Sequence, residues 1–271
     1  MAGHEGKAMI PKSHGVLLFA IALARSPASV AKDAEHLSSD QVRAAIVRMP
    51  PNTIDLSGKD LSGDDLTDLD LSGANLSSSN LSGTNLHRVR LVGSNLSHAN
   101  LTKANLTFTW IINANFAYAN LHGATLQTRV TSTAIDNTPQ QAANFTGADL
   151  SDTIATVHFS YDEMPNANFS HTHMSVVTAN QSMGLLRSEF KSANLDGANF
   201  TGAGLGEITF RFAKLNGAHF NDADLSDTDF TGAYLTGADF TGAKLDNTIF
   251  DAATLNDVKG IPPSYQARQS K

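Results

Sequence analysis

A bulky apolar residue recurs at every fifth position along most of this chain. Leu56, Leu61, Leu66, Leu71, Leu76, Leu81, Leu86, Leu91, Leu96, Leu101, Leu106, Ile111, Phe116, Leu121 and Leu126 form an unbroken run. Two residues before most of these centres stands something small, such as Ala74, Thr84, Ala99, Ala104 or Ala119. Asn or Asp usually lies between the two, as in Ala74-Asn75-Leu76. A period of five fits neither the 3.6 of an α-helix nor the 2.0 of a strand. It requires a chain that turns a corner every five residues, with the small residue and the bulky centre both facing inward. Gly, Asn, Asp and Ser at the remaining positions suit the turns.

The lattice continues with three slips. Val130, Ile135, Phe145 and Leu150 follow the loss of one residue, and Phe159, Met164, Phe169 and Met174 the loss of a second. One residue is gained before Leu185, after which the spacing is unbroken from Phe190 to Leu255. In that last block Phe and Leu alternate, so the local repeat is ten residues. A coil of four sides stacks Phe190, Phe210, Phe230 and Phe250 on one face and Phe200, Phe220 and Phe240 on the opposite one. Three sides would mix Phe and Leu in every column.

These residues resemble the pentapeptide-repeat family, over about residues 54–257. The resemblance implies an all-β fold, a right-handed quadrilateral β-helix. At twenty residues per coil it predicts roughly ten coils, each adding about 4.8 Å. A short N-terminal capping helix is expected over 39–49. Ser38 and Gln41 have the spacing of a capping box, Val42, Ala45, Ile46 and Met49 share one helical face, and Pro50-Pro51 ends the segment. Residues 32–53 then form the cap and linker. Lys59 and Asp64 fall on inward positions of an end coil, where they still reach solvent or pair. Residues 258–271 show no helical pattern and are expected to be a flexible tail.

Residues 1–31 carry the pattern of an export signal: Lys7 and Lys12, an apolar run over 16–24, then small Ser29 and Ala31. Cleavage is expected after Ala31, giving a periplasmic or secreted chain. Glu5 and Arg25 depart from the pattern, and translation from Met9 would remove the first departure. The apolar run is too short to span a membrane. Zero Cys excludes disulfides, thiol catalysis and Cys-ligated zinc. A pI near 5.7 leaves no electrostatic footprint for nucleic acid. Charge is nonetheless segregated. Residues 55–70 hold six Asp and one Lys, 71–135 hold no acid, and 222–257 hold eight Asp and one Lys.

Nearly every Asp sits at the lattice position before a centre, so these acids are repeat residues and not a catalytic set. No phosphate-binding glycine loop or HExxH motif occurs. The reading is therefore no enzyme, no cofactor and no metal, although His171 and His173 have the spacing of a ligand pair. The Asn-Leu-Ser and Asn-Leu-Thr triplets are by-products of the repeat. The irregular stretch 127–189 holds the candidate interaction surface: His158, Tyr161, Glu163, His171, His173 and Arg187. Irregular parts of solenoids are where partners often bind.

Two functions follow. The first is a non-enzymatic interaction rod of the bacterial envelope, with an unidentified protein partner. The second is implied by one subgroup of the family, whose members mimic DNA and bind DNA gyrase. This chain departs from that subgroup in its export signal, its tail without a helical dimerisation segment, and its acid-free stretch. A secreted effector is a third reading.

Overall fold

The computed structural model describes residues 36–49, 53–128, 138–174 and 188–266. All of them belong to one unit, Ala34–Lys271. The export-signal segment 1–31 lies outside the described residues, as do Val130, Ile135, Leu185 and Arg187.

One pentapeptide shows how the local sequence makes a wall and a corner. Ala99 and Leu101 are buried, with Asn100 between them on the outside. Asn100 N–H donates to Ser79 O in the coil before, and Leu101 N–H donates to Asn120 O in the coil after. Asn100 Oδ1 then accepts the N–H and the hydroxyl of Thr102, at 3.1 and 2.6 Å. This side-chain turn is what Asn and Asp favour. Ala104 N–H closes the corner on Leu101 O at 2.9 Å. Between them Lys103 has φ 58°, the left-handed region that costs an ordinary residue about 1 kcal/mol or more. The same corner position is left-handed through most of the chain, with glycine at some turns and a full side chain at others. At Gly147 a glycine is needed twice over. Its φ is 61°, and a Cβ would lie 2.7 Å from the Tyr118 ring, which reaches across from the preceding coil.

Parallel bridges link each wall to the one twenty residues later, as in Asp55↔Asn75↔Asn95↔Asn115. Four such series run side by side, beginning at Asp55, Asp60, Asp65 and Asp70. We call these the first to fourth walls of a β-helix solenoid. The centres stack in columns inside them. Phe190 and Phe210 lie 4.8 Å apart at 4°, and Phe200 and Phe220 lie 5.0 Å apart at 2°. The two phenylalanine columns also meet edge to face across the core, as Phe210 and Phe220 do at 5.9 Å and 83°. Each such pair adds about 0.5–1.5 kcal/mol beyond its burial. Inward hydroxyls in place of alanine are satisfied locally: Thr84 donates to Leu61 O, Ser94 to Leu71 O and Thr228 to Leu205 O in the coil before, and Ser79 to Leu76 O and Thr153 to Leu150 O in their own coil.

The interruptions differ from the slips expected. Asn115 pairs with Asn144 and Phe116 stacks on Phe145 at 4.7 Å and 2°. This coil therefore spans 29 residues, the separation that also brings His122 to Ser151. It gains nine residues over the regular twenty and does not lose one. The coil joining Glu163 to Asn194 spans 31 residues, a gain of eleven and not of one. The physical reason is that a five-residue lattice fixes segment length only modulo five. Residues leaving the wall in two pentapeptide lengths are invisible to it. Only the middle slip is a true loss of one: Asn168 reaches back 19 residues to Asp149. It falls in β2 (Ile154–Val157), which pairs in parallel with β1 (Thr125–Thr128). There Ala155 and Val157 both turn inward before Phe159.

The first coil is covered by α1 (Ser39–Arg48). Ser38 N–H donates to Gln41 Oε1 at 2.8 Å, and Gln41 N–H donates to Ser38 Oγ at 3.4 Å. Val42 is buried, and Leu37 and Ile46 pack beside it. Arg43 reaches the carbonyls of Asp65 and Thr67 on the open side of the first coil. Lys59 and Asp64 are half-buried there. At the other end the tail departs from expectation. Pro263–Gln266 forms one helical turn, α2. The Tyr265 ring meets Phe250 edge-on at 5.4 Å, and its hydroxyl donates to Leu245 O at 2.9 Å. A single turn is too short to show a 3.6-residue period, and Pro263 starts it where Pro262-Pro263 reads as a stop.

Candidate functional site

The solenoid spreads the residues singled out in the irregular stretch over several walls. His158 lies on the fourth wall, half-buried, with Nδ1 3.9 Å from Glu189. Tyr161 is at the following corner, with φ 67°. Glu163 is on the first wall and accepts Asn194 Nδ2–H at 2.7 Å. His171 sits at the corner after the second wall, with its ring over Gly202. His173 is on the third wall, between Ile154 and Gly204. His171 and His173 are therefore divided between a corner and a wall. Among the described residues no three His, Asp or Glu side chains are grouped to hold a metal.

Among the described residues a serine–histidine–aspartate group does assemble, and its geometry is unsuited to nucleophilic catalysis. His122 Nδ1 lies 3.1 Å from Ser151 Oγ and 3.4 Å from Asp152 Oδ2. Both partners address the same ring nitrogen. A base that takes the serine proton needs its orienting carboxylate on the other nitrogen.

Outward residues form ladders along the walls. Asn95 Nδ2 donates to Asn75 Oδ1, and Asn75 Nδ2 donates to Asp55 Oδ1. Asn100 donates to Asn80 and Asn80 to Asp60; Asn105 donates to Asn85 and Asn85 to Asp65. Each of these ladders runs one way, the later coil donating to the earlier. The foot of a ladder only accepts, and a carboxylate is the side chain that only accepts. Asp149 starts a fresh ladder, Asn199 to Asn168 to Asp149, just after the 29-residue coil. Hydrogen bonds from the Ser57, Ser62 and Thr67 side chains, then from their N–H groups, hold Asp55, Asp60 and Asp65 below the usual carboxylate range. Three of the six aspartates at the acid-rich start, Asp55, Asp60 and Asp65, are thus ladder feet, while Asp68 and Asp70 pair with Arg88 and Arg90. On the fourth wall Asp70 faces Arg90 at 3.5 Å, and Arg90 lies 4.9 Å over the Trp110 ring.

Exposed aromatics stand among these ladders. Tyr118 stacks on His98 at 5.2 Å, and Phe108 meets His87 edge-on at 5.5 Å. Reading the sequence by walls does not single out these pairs, because their partners lie one coil away on the outside, twenty residues for Tyr118 and His98 and twenty-one for Phe108 and His87. It also passed over Asp162 as an inward residue. Asp162 stands two before the Met164 centre, in the small-residue position, and is fully buried. Burial pushes its carboxyl well above the usual range, and Glu163 beside it adds to the shift. The signal is present in the lattice: Asp162 is a charge two residues before a centre, as Lys59 and Asp64 are in the first coil.

The register, the stacked core and the one-way ladders define a pentapeptide solenoid. The sequence model for pentapeptide repeats matches in eight copies, at residues 54–83, 70–107 and 79–116 among others, and that for a pentapeptide repeat region matches 183–259. The chain belongs to the pentapeptide repeat family. No curated protein matches it in sequence. Among solved structures it is similar to HetL, a pentapeptide repeat protein involved in heterocyst differentiation regulation from the cyanobacterium Nostoc sp. strain PCC 7120. Identity is 21%, covering 83% of this chain and 95% of that one, with a TM-score of 0.45. Trypsin-treated QnrB1, a plasmid-mediated fluoroquinolone resistance protein, is 19% identical over 73% of this chain and 90% of its own, with a TM-score of 0.36. A pentapeptide repeat protein of the Arabidopsis thaliana thylakoid lumen is 25% identical over 55% and 66%, with a TM-score of 0.15. With these scores the family assignment rests on the sequence models. Among the described residues no helix is long and apolar enough to cross a membrane.

Proposed function

We propose that this protein is a non-catalytic interaction scaffold exported to the bacterial envelope, built as a right-handed, four-sided solenoid of roughly ten coils. The observation that carries the scaffold reading is the outer surface. Its polar wall residues are engaged in ladders and turns, such as Asn95 to Asn75 to Asp55, which hold neighbouring side chains at a fixed spacing. The reading of export rests on residues 1–31. Contacts with the partner, a protein, come from outward residues of the irregular stretch, His158, Tyr161, Glu163, His171 and His173. They sit on different walls, so a partner engaging them must wrap around a corner.

Intact mass and cell fractionation of the native protein test this reading. A chain beginning at Lys32, recovered from the periplasm or the medium, is the expected result. A full-length chain in the cytosol would overturn export and direct the next assay to inhibition of gyrase supercoiling.

A further inference from the structure

Where the 29-residue coil ends, the Ala143 N–H lacks its usual partner. In a regular pentapeptide the small inward residue donates its N–H to the preceding centre, as Ala148 does to Phe145 O at 2.9 Å. Ala143 begins the first-wall segment where the solenoid resumes. The residues before it, Pro139–Gln141, form a 3-10 turn instead of a wall. The Ala143 N–H is taken by Asp162 Oδ1 of the next coil, at 2.8 Å. Asp162 interrupts the run Ala114, Ala143, Ala193 and Ala213 in this column, all buried. Its other oxygen, Oδ2, is buried with no hydrogen-bond partner. The 31-residue coil is closed in a parallel way by the buried Ser188, whose Oγ accepts Val157 N–H at 3.2 Å. A hydroxyl does there, without charge, what Asp162 does at the first site.

We propose that Asp162 is a proton-operated latch: its neutral carboxyl fastens the point where the solenoid resumes after the 29-residue coil, and its ionisation releases that point. A carboxylate in this place would have one donor, the Ala143 N–H, which by itself favours the charge, but its burial among apolar groups outweighs that bond and keeps the carboxyl protonated well above the usual range. The charged groups near it in the fold make ionisation harder or leave it alone. Glu163, next in sequence and outside the wall, repels it. The coil before contributes Ala143, Asn144 and Phe145, all uncharged. The coil after contributes exposed Lys191, whose carbonyl accepts Tyr161 N–H. On the adjoining fourth wall His158 faces Glu189.

The sign follows from proton linkage. The closed state holds the proton to a higher pH than the opened state does. The latch is therefore fully effective below the ordinary aspartate value, near about 3.9, and weakens as pH rises from there towards the folded-state value. Across that window the closed-to-open ratio falls about tenfold per pH unit.

Amide hydrogen exchange of the full chain tests this, with rates corrected for intrinsic pH dependence. Protection at Ala143 should fall about tenfold per pH unit through the window, while protection at Ala99 in a regular coil stays level. Asp162→Asn keeps the acceptor oxygen and loses the titration, so its Ala143 protection should be level with pH. The same downward slope in Asp162→Asn, or level protection at Ala143 in the unaltered chain, would overturn the latch. If Asp162→Asn does not fold, the side-chain carboxyl carbon shift of Asp162 in the unaltered chain decides. An inflection near about pH 3.9 refutes the proposal. An inflection at higher pH that coincides with loss of protection at Ala143 supports it.

Discussion

At the scale of single residues, asparagine is the side chain that fits the wall. Its oxygen accepts the N–H two residues on, as Asn95 does from Ser97 at 3.1 Å. Its amide nitrogen donates to the coil before, and its oxygen also receives the coil after, as from Asn115 at 3.1 Å. Aspartate can do the first and last of these and not the second. Asn95→Asp should therefore remove one part-buried donor and cost about 1 kcal/mol. Asp55→Asn, at a foot with no earlier rung, should change stability by less than half of that. Urea unfolding midpoints of the two variants check the difference, and equal losses would refute the one-way ladder. The same logic explains why charge segregation is visible in the sequence while its meaning is not. The six aspartates of 55–70 can be counted, but the rungs and ion pairs of Asp55, Asp60, Asp65, Asp68 and Asp70 depend on residues twenty positions later.

At the scale of elements, the coil is stabilised by two aromatic columns that touch each other. Phe210 stacks on Phe190 and Phe230 and meets Phe200 and Phe220 edge-on. Phe210→Ala should cost about 3–5 kcal/mol, with Phe210→Leu recovering most of it. Ala198→Glu should be worse, since it forces a charge into a fully buried small-residue position. Thermal unfolding ranks the three, and little change for Ala198→Glu would sink the inside and outside assignment. The inward columns were legible from Phe and Leu alternation because each wall is a local, five-residue decision. The interruptions were not legible, since 29 and 19, like 31 and 21, leave the same remainder on division by five. Nothing in the apolar pattern marks Phe145 as the partner of Phe116. The single turn at Pro263–Gln266 was hidden for a simpler reason: its packing depends on one residue, Tyr265 against Phe250.

At the scale of the solenoid, each coil touches only its neighbours, so stability is a sum of coil and interface contributions. Its acid response has a fixed sign. Asp55, Asp60, Asp65, Asp224 and Asp239 are all held below the usual carboxylate range, foremost by hydroxyl donors from Ser57, Ser62, Thr67, Ser226 and Thr241. Groups whose folded value is depressed stabilise above their unfolded value, about 3.9, and that stability is lost as pH falls through the folded values. Acidification should thus loosen both ends, where these residues lie, before the acid-free coils between Leu71 and Leu126. Exchange of Leu61 and Leu225 amides ahead of Leu101 on lowering the pH is the expected order; simultaneous loss would refute it. The direction of the ladders has one more consequence, for synthesis. The N-terminal coil leaves the ribosome first and carries the carboxylates that can only accept. Each later coil brings its own amide donors to a template already in place, Asn75 to Asp55 and then Asn95 to Asn75. A chain with this polarity can wind as it is made, in the order in which it is translated.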